Sequence, residues 1–164
     1  MPYISIRIAS DDMTESQTES LAKGTTRIMS EVLGKKPELT AVSIEQVPAS
    51  QWYIGGENIA KAAQRSAYVT AKVSAGTNTE KQIAEAVNAF YQLLSEHLGA
   101  LSETSYVVID EVPTKNWGYG GRTQQDRQIK RTEGGSIDTT YYMDKGRQAR
   151  AEAAAGLSLR FLQR

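Results

Sequence analysis

The chain begins with a strand pattern that recurs 65 residues later. In residues 3–8, tyrosine, serine and arginine alternate with isoleucine, and residues 68–73 repeat this alternation with tyrosine, threonine and lysine against valine and alanine. A period of two is typical of a strand whose two faces have different surroundings. We therefore predict a strand in each segment, with one apolar face and one mixed face.

Each of these strands is followed by a helix signal. Thr14 and Thr79 each begin a Thr-Glu-x-Gln sequence, which fits the capping box of a helix amino terminus. Behind Thr79, apolar residues recur at steps of three and four: Ile83, Val87, Phe90, Leu94 and Leu98. This spacing predicts an amphipathic helix of about five turns, and a weaker stripe predicts a helix behind Thr14. Gly34 and Gly99 are the predicted left-handed caps at the helix ends.

A second strand and an aromatic hairpin complete each copy. Residues 39–45 and 104–111 are predicted strands, and each is ended by a proline, which cannot donate to a ladder. Strand, helix and strand at this spacing predict parallel strands with a right-handed crossover. The sequences Trp-Tyr-Ile-Gly-Gly at 52–56 and Trp-Gly-Tyr-Gly-Gly at 117–121 predict short turns or hairpins.

The two copies form a tandem repeat. A shift of 65 residues aligns residues 2–56 with residues 67–121 without a gap, and the tryptophan and the Gly-Gly pair recur in register. The predicted fold is α+β: two β-α-β repeats giving a four-stranded sheet with two helices on one face, plus a C-terminal helical extension. The predicted domains are residues 1–66, 67–122 and 123–164.

The extension has no counterpart in the repeat. Residues 124–137 are polar and contain a Gly-Gly pair, which predicts a loop or linker. Residues 144–155 are rich in Ala, Arg and Glu and predict a third helix. Gly156 is the predicted cap of this helix, and residues 157–162 are predicted to form a short strand or arm.

The predicted sheet leaves the face opposite its helices uncovered. That face carries Arg7 and Lys72 together with tyrosine and hydroxyl side chains, so it is too polar for a core and too mixed for a plain solvent face. We expect it to be half-buried between copies of the chain in a homo-oligomer, with both cations lining a central channel. The alternative is that both charges are solvated on an open sheet.

Charge and composition exclude several classes of function. Lys+Arg and Asp+Glu both total 19, so the chain has no electrostatic footprint for nucleic acid or an anionic membrane. There is no cysteine, and the single histidine, His97, argues against a histidine-based zinc site or a Ser-His-Asp triad. No apolar run is long enough for a membrane span and no signal-peptide pattern is present, so we expect a soluble, cytoplasmic protein.

Pro2 is the first candidate for chemistry. If Met1 is removed, Pro2 becomes a secondary amine at the mouth of a buried strand. Ordinary α-amino groups titrate at about 7.7–8.0, so modest burial or a nearby cation leaves such an amine unprotonated and able to act as a base. The alternative is that the proline only stiffens the terminus.

Together, Pro2, the β-α-β repeats and the hairpin at residues 52–57 resemble the tautomerase superfamily, in particular fused 4-oxalocrotonate tautomerases. The hairpin sequence is similar to that family's aromatic-Gly-Ile-Gly-Gly-Glu motif, and the resemblance covers residues 2 to about 122. It implies that Pro2 shuttles a proton between carbon and oxygen of a small enol or 2-oxo acid, without cofactor or metal, in a ring of three chains. Ala67, the counterpart of Pro2, is internal and its amide is not a base.

The resemblance also implies where the substrate is held. In the family the aromatic hairpin closes the pocket of its partner copy, which points to Trp117 and Tyr119, with Asn116 as a hydrogen-bond donor to a substrate oxygen. The family's two arginines are missing from both copies: Asp12 and Thr77 stand at the position of the first, and the position of the second falls near Ala41 and Tyr106.

Three further side chains are candidates for the substrate's carboxylate and carbonyl groups. Arg122, directly behind the second Gly-Gly pair, is the best substitute cation by position, and Lys115 is another. Tyr106 is a candidate donor to a carbonyl or a packing residue of its strand. Two alternatives to a tautomerase stay open: a hydratase or dehalogenase of an unsaturated acid that uses the same proline, and a non-catalytic ring protein.

Overall fold

The computed structural model describes residues 2–130, 132–133 and 136–162, and the chain divides into two units, Met1–Gln124 and Gln125–Arg164. The regular elements of the repeat follow in the order β1 (Tyr3–Ala9), α1 (Glu15–Glu31), β2 (Ala41–Val47), β3 (Tyr53–Ile54), β4 (Glu57–Asn58), β5 (Ser66–Ser74), α2 (Glu80–Leu98), β6 (Tyr106–Val112), β7 (Gly118–Tyr119) and β8 (Arg122–Thr123). Two further helices, α3 (Gln124–Gln128) and α4 (Thr139–Leu162), complete the described chain.

The predicted four-stranded sheet is confirmed, with the order β2-β1-β5-β6. Each repeat contributes one parallel pair, β1 with β2 and β5 with β6. The two repeats meet in the antiparallel pair β1 and β5, where Ser5 lies opposite Thr70 at the centre of the register. Since these two residues are 65 apart, an approximate twofold axis passes between them and relates the halves of the sheet.

The core lies between the sheet and the two helices of the repeat. The isoleucines of β1 and the counterpart residues of β5 are almost completely buried, and they pack with Leu21, Met29, Phe90 and Leu94 of the helices. Burial of this apolar face explains why the alternating pattern predicts both strands correctly.

Both predicted capping boxes are present. Thr14 Oγ1 accepts a hydrogen bond from Gln17 N at 3.2 Å and Gln17 Oε1 accepts from Thr14 N at 3.0 Å, and Thr79 and Gln82 form the same pair of bonds. Each glutamine amide also donates to a carbonyl near the end of the other helix, from Gln17 Nε2 to His97 O at 2.8 Å and from Gln82 Nε2 to Val32 O at 3.2 Å. The boxes therefore start each helix and also tie the two helices to each other.

The prediction for the extension is correct only in part. The predicted loop or linker at residues 124–137 contains the short helix α3, and the predicted helix at residues 144–155 starts earlier, at Thr139. The helix α4 runs from Thr139 to Leu162, so it includes Gly156 instead of ending there, and residues 157–162 are helical instead of forming a strand or arm. A single glycine lowers helix propensity by about 1 kcal/mol relative to alanine. The alanine-, arginine- and leucine-rich residues on both sides favour the helix enough to continue it.

The strand starts also differ slightly from the prediction. β2 begins at Ala41 because Pro37–Leu39 forms a turn of 3-10 helix, and β6 begins at Tyr106. On the open face of the sheet, Arg7 pairs with Glu45 on the next strand, and Lys72 pairs in the same way with Asp110. In the described part of the chain, no helix combines the length and apolarity needed to cross a membrane.

Candidate active site

Pro2 lies at the edge of the sheet where β1 begins. It is buried, and its carbonyl oxygen accepts a hydrogen bond from Ala41 N at 3.3 Å, which fixes the start of β1 beside the start of β2. The predicted chemistry requires removal of Met1, and that residue lies outside the described residues. The position of Pro2 is therefore fixed by backbone pairing within the sheet.

The strand directions decide which loops share this edge with Pro2. Because β5 runs antiparallel to β1 and parallel to β6, the carboxyl ends of β5 and β6 lie at the edge where β1 begins. The loop between α1 and β2 also ends there. We call this edge the proline edge; it comprises Pro2, residues 33–40, residues 74–78 and residues 111–113, and the second hairpin follows it in the chain.

Lys35 is a cation of the proline edge that the sequence analysis did not identify. Its Nζ donates to Thr77 Oγ1 at 2.8 Å, which joins the loop after α1 to the turn after β5. Partial burial lowers the pKa of Lys35 below its usual value, and the charge of nearby Glu111 acts in the opposite direction. Lys35 and Thr77 come from loops 42 residues apart, and no local pattern signals that they meet.

The second hairpin brings several of the predicted site residues together. Gly120 and Gly121 turn the chain with φ values of 54° and 72°, as a two-residue hairpin with a type I′ turn requires. A cavity of about 340 Å³ opens at this hairpin. Among its lining residues are the predicted Asn116, Trp117, Tyr119 and Arg122, together with Lys115. The lining contains two cations, Lys115 and Arg122, and no carboxylate.

Tyr106 is not brought to this site within one chain. It is the first residue of β6, whereas the proline edge lies at the other end of that strand, at Val112. Six residues of strand span about 20 Å. Tyr106 instead lies opposite Tyr68 on the uncovered face of the sheet, where 62% of it is exposed.

The opposite edge of the sheet holds the duplicate of the proline edge. Ala67 occupies the position of Pro2 there, and a cavity of about 400 Å³ lies nearby, lined in part by Asp11, Asp12 and Arg65. Arg65 donates to Asp12 Oδ1 at 2.6 Å and also to the carbonyl of Leu98. The bond from Arg65, aided by one from Ser10 Oγ, holds the pKa of Asp12 below its usual value. Arg65 and Asp12, two of the charged groups of this edge, are therefore paired with each other.

Comparisons with known proteins agree with this geometry. The sequence profile of the family described as "Tautomerase enzyme" matches residues 2–62 and again residues 68–127. The chain is 38% identical over 66 residues to "Probable tautomerase K2" of Dickeya dadantii (strain 3937), a match that covers 40% of this chain and 98% of that protein.

Solved structures share the fold over most of the repeat. The native fused 4-OT structure is similar with a TM-score of 0.67 and 22% identity, covering 75% of this chain and 96% of that chain. A macrophage migration inhibitory factor-like protein from Entamoeba histolytica has a TM-score of 0.62 and 24% identity, over 74% of this chain and 97% of its own. A fused 4-OT described as a symmetric trimer has a TM-score of 0.67 and 19% identity, over 75% of this chain and 96% of that chain.

Proposed function

The chain belongs to the tautomerase family and is an isomerase, and on that premise we propose that Pro2 is its general base and acid, acting on a small enol or 2-oxo acid. The observation that carries the proposal is the burial of Pro2 at the edge of the sheet that also holds Lys35 and from which the chain continues into the second hairpin. Burial disfavours the protonated form of an amine. Once Met1 is removed, the amine of Pro2 is then free to accept a proton near neutral pH.

The proposed reaction is a proton transfer with no net change in composition. The amine of Pro2 takes the proton of the substrate's enol hydroxyl, the double bond shifts to form the carbonyl, and the resulting ammonium returns the proton to carbon. The reverse direction begins with abstraction of a proton from the carbon α to the carbonyl. Asn116 and Tyr119 of the second hairpin are proposed to donate hydrogen bonds to the oxygen on which negative charge develops.

A carboxylate on the substrate is held, in this proposal, by cations other than the family's arginines. Lys35 supports this because it lies at the proline edge and is partly withdrawn from water. Lys115 and Arg122 both line the cavity at the second hairpin. These three cations make a small carboxylic acid the favoured class of substrate.

We further propose that the active form is a homo-oligomer, with three chains as the expected number. Support comes from the uncovered face of the sheet, on which Tyr3, Tyr68 and Tyr106 are all exposed, and from fused relatives of the same fold described as trimers. Tyr106, which lies far from the proline edge of its own chain, is assigned to this face between copies. No nucleic acid or membrane partner is proposed.

The test combines intact mass with activity. We expect the purified chain to lack Met1 and to ketonise the enol of phenylpyruvate or 2-hydroxymuconate, and we expect Pro2→Ala to lower kcat/KM by about 100- to 10,000-fold. Pro48→Ala, at the opposite edge of the sheet, is the matched control and should keep the wild-type rate. Equal rates for Pro2→Ala and the wild type would exclude the proline mechanism.

A further inference from the structure

Two consecutive hydrogen bonds tie the ammonium of Lys35 to the end of β5. Lys35 Nζ donates to Thr77 Oγ1 at 2.8 Å, and Thr77 Oγ1 in turn donates to Ser74 O at 2.6 Å. Ser74 is the last residue of β5, the strand that pairs with β1 as far as Tyr3, the neighbour of Pro2. The hydroxyl of Thr77 therefore connects the ammonium to the strand that runs beside the start of β1.

The loop that carries Lys35 is also fixed by bonds from the other repeat. Asn78 Nδ2 donates to Leu33 O at 3.0 Å, and Gln82 Nε2 donates to Val32 O at 3.2 Å. Both donors follow β5 in the chain, and both acceptors lie just after α1. The backbone on either side of the Lys35 contact is thus held in place, so the position of the ammonium depends on the contact itself.

The opposite edge has the same two acceptor positions, which one arginine occupies. At a shift of 65 residues, Thr77 corresponds to Asp12. The carbonyl of Leu33 corresponds in the same way to that of Leu98. Arg65 donates to Asp12 Oδ1 at 2.6 Å and to Leu98 O. The cation of the opposite edge is therefore paired with a carboxylate of its own chain.

The proline edge has a neutral hydroxyl where the opposite edge has that carboxylate. A hydroxyl accepts a hydrogen bond from the ammonium of Lys35 without cancelling its charge. Among the described residues Lys35 forms no ion pair, and Glu111, whose charge acts on it, uses Oε1 to accept a bond from Gly76 N at 3.0 Å. Ala100, the counterpart of Lys35, has no charge at all. The proline edge therefore presents a fixed cation that is still able to bind an anion.

We propose that Thr77 is a positioning residue of the site: its hydroxyl holds the ammonium of Lys35 beside the strand next to Pro2, where this cation binds the carboxylate of a 2-oxo acid. The inference rests on the proposed function, because the carboxylate is that of the proposed substrate. Since the hydrogen of the hydroxyl is directed to Ser74 O, its oxygen presents a lone pair to the ammonium. Thr77 acts on the substrate only through Lys35.

The first test separates binding from turnover. Thr77→Val keeps the branched shape and removes the acceptor, so we expect KM for the enol of phenylpyruvate to rise by about threefold to tenfold, the loss of one hydrogen bond, with little change in kcat. Thr77→Ser keeps the hydroxyl and should restore the wild-type KM. Asp12→Thr, the matched change at the opposite edge, should leave KM unchanged.

A neutral substrate provides the control for a merely structural effect. The methyl ester of phenylpyruvate has no carboxylate, so Thr77→Val should not raise its KM. A wild-type KM for the acid in Thr77→Val overturns the proposal. An equal rise for the acid and the ester overturns it as well, because a distorted turn would affect both substrates.

A double-mutant cycle tests whether Thr77 acts through Lys35. In a Lys35→Gln chain the ammonium is absent, so adding Thr77→Val should not raise KM further. If Thr77→Val raises KM by the same factor in the Lys35→Gln chain as in the wild type, the two residues act independently, and the positioning role is excluded.

A binding experiment separates this inference from the proposed function. Calorimetric titration uses trans-cinnamate, a carboxylate without an enolisable proton, and we expect Thr77→Val to weaken its binding by about threefold to tenfold in both the wild-type and the Pro2→Ala chain. If Pro2→Ala keeps the wild-type rate, the proposed function fails, and the titration still decides the role of Thr77. If Pro2→Ala loses activity while Thr77→Val binds cinnamate as the wild type does, the function stands and the inference is excluded.

Discussion

Lys35 shows what a single side chain adds to the proline edge. Its ammonium is held at 2.8 Å from Thr77 Oγ1 and is partly buried, whereas the neighbouring Lys36 is exposed. We expect Lys35→Gln to raise KM for an anionic substrate by about tenfold. Lys35→Arg should restore part of the affinity, and Lys36→Gln, the matched control, should leave KM unchanged. Steady-state kinetics at neutral pH check this, and an unchanged KM in Lys35→Gln would remove Lys35 from the site.

The titration of Lys35 predicts how the affinity for an anionic substrate changes with pH. Burial lowers the pKa of Lys35, so its charge is lost at a lower pH than that of an ordinary lysine. Affinity for an anionic substrate should therefore fall on the alkaline side, and it should begin to fall before exposed lysines titrate. This alkaline limb should be missing from the KM profile of Lys35→Arg, because the guanidinium stays protonated throughout the range.

At the opposite edge of the sheet, the lowered pKa of Asp12 predicts how the stability of the fold depends on pH. Its pKa is lowered by the hydrogen bond from Arg65, so the folded state binds its proton less readily than the unfolded chain. The stabilisation is fully present above the unfolded pKa, near 3.8, and is lost as the pH falls through the lower folded value. Asp12→Asn should thus lower the unfolding midpoint slightly at pH values near 6 and should match the wild type in strong acid. Thermal unfolding at both pH values checks this, with Glu57→Gln as the exposed control.

At the scale of elements, local sequence patterns predict the helices and strands, but they do not predict which side chains meet at the site. The capping boxes at Thr14 and Thr79 and the alternation in β1 and β5 are local signals, so α1, α2 and the four strands of the sheet are predicted correctly. The order of the strands is seen only in the structure. Pro2 and the second hairpin are also visible as motifs. The contact of Lys35 with Thr77 depends on which loops meet at the proline edge, and no local pattern predicts that meeting. The missing acceptor of the buried Gln124 amide is likewise visible only in the structure of the described residues. The prediction that Gly156 ends a helix is wrong because the helix propensity of a single residue is a weak signal within a long helix.

The conformation of the second hairpin requires glycine at position 118, whereas the first hairpin has a residue with a side chain at the equivalent position. A Cβ added at Gly118 would lie 2.0 Å from the carbonyl oxygen of Arg122, and that backbone atom cannot move away without opening the hairpin. Tyr53 holds the equivalent position in the first hairpin, with an exposed side chain. We expect Gly118→Ala to lower kcat/KM by at least about tenfold while the core stays folded.

Tyr53→Ala is the matched control for that experiment. It truncates an exposed side chain at the equivalent position, so it should change neither activity nor the unfolding midpoint by much. The near-ultraviolet circular dichroism of the two tryptophans reports the hairpins directly and should change in Gly118→Ala. Full activity and an unchanged spectrum in Gly118→Ala would show that the second hairpin tolerates the side chain and does not shape the site.

For the whole molecule, duplication has produced two unequal edges. One carries Pro2, Lys35 and a hairpin with polar side chains, and the other carries Ala67 and the ion pair of Asp12 with Arg65. Because the two halves are fused, each edge occurs once per chain and could change without altering the other. The chain can therefore keep a symmetric sheet and core while the proposed chemistry is confined to one edge.

The last prediction concerns the uncovered face of the sheet as the contact surface between copies of the chain. Tyr106 is exposed on this face together with Tyr3, Tyr68 and Val108, and an apolar-aromatic surface of this kind is typical of an interface. Tyr106→Arg should therefore convert the proposed oligomer to monomers, as seen by sedimentation velocity. Val87→Arg, which places the same charge on an exposed position of α2, should leave the oligomer intact. If Tyr106→Arg monomers keep full activity, one chain suffices for catalysis, and the interface serves stability alone.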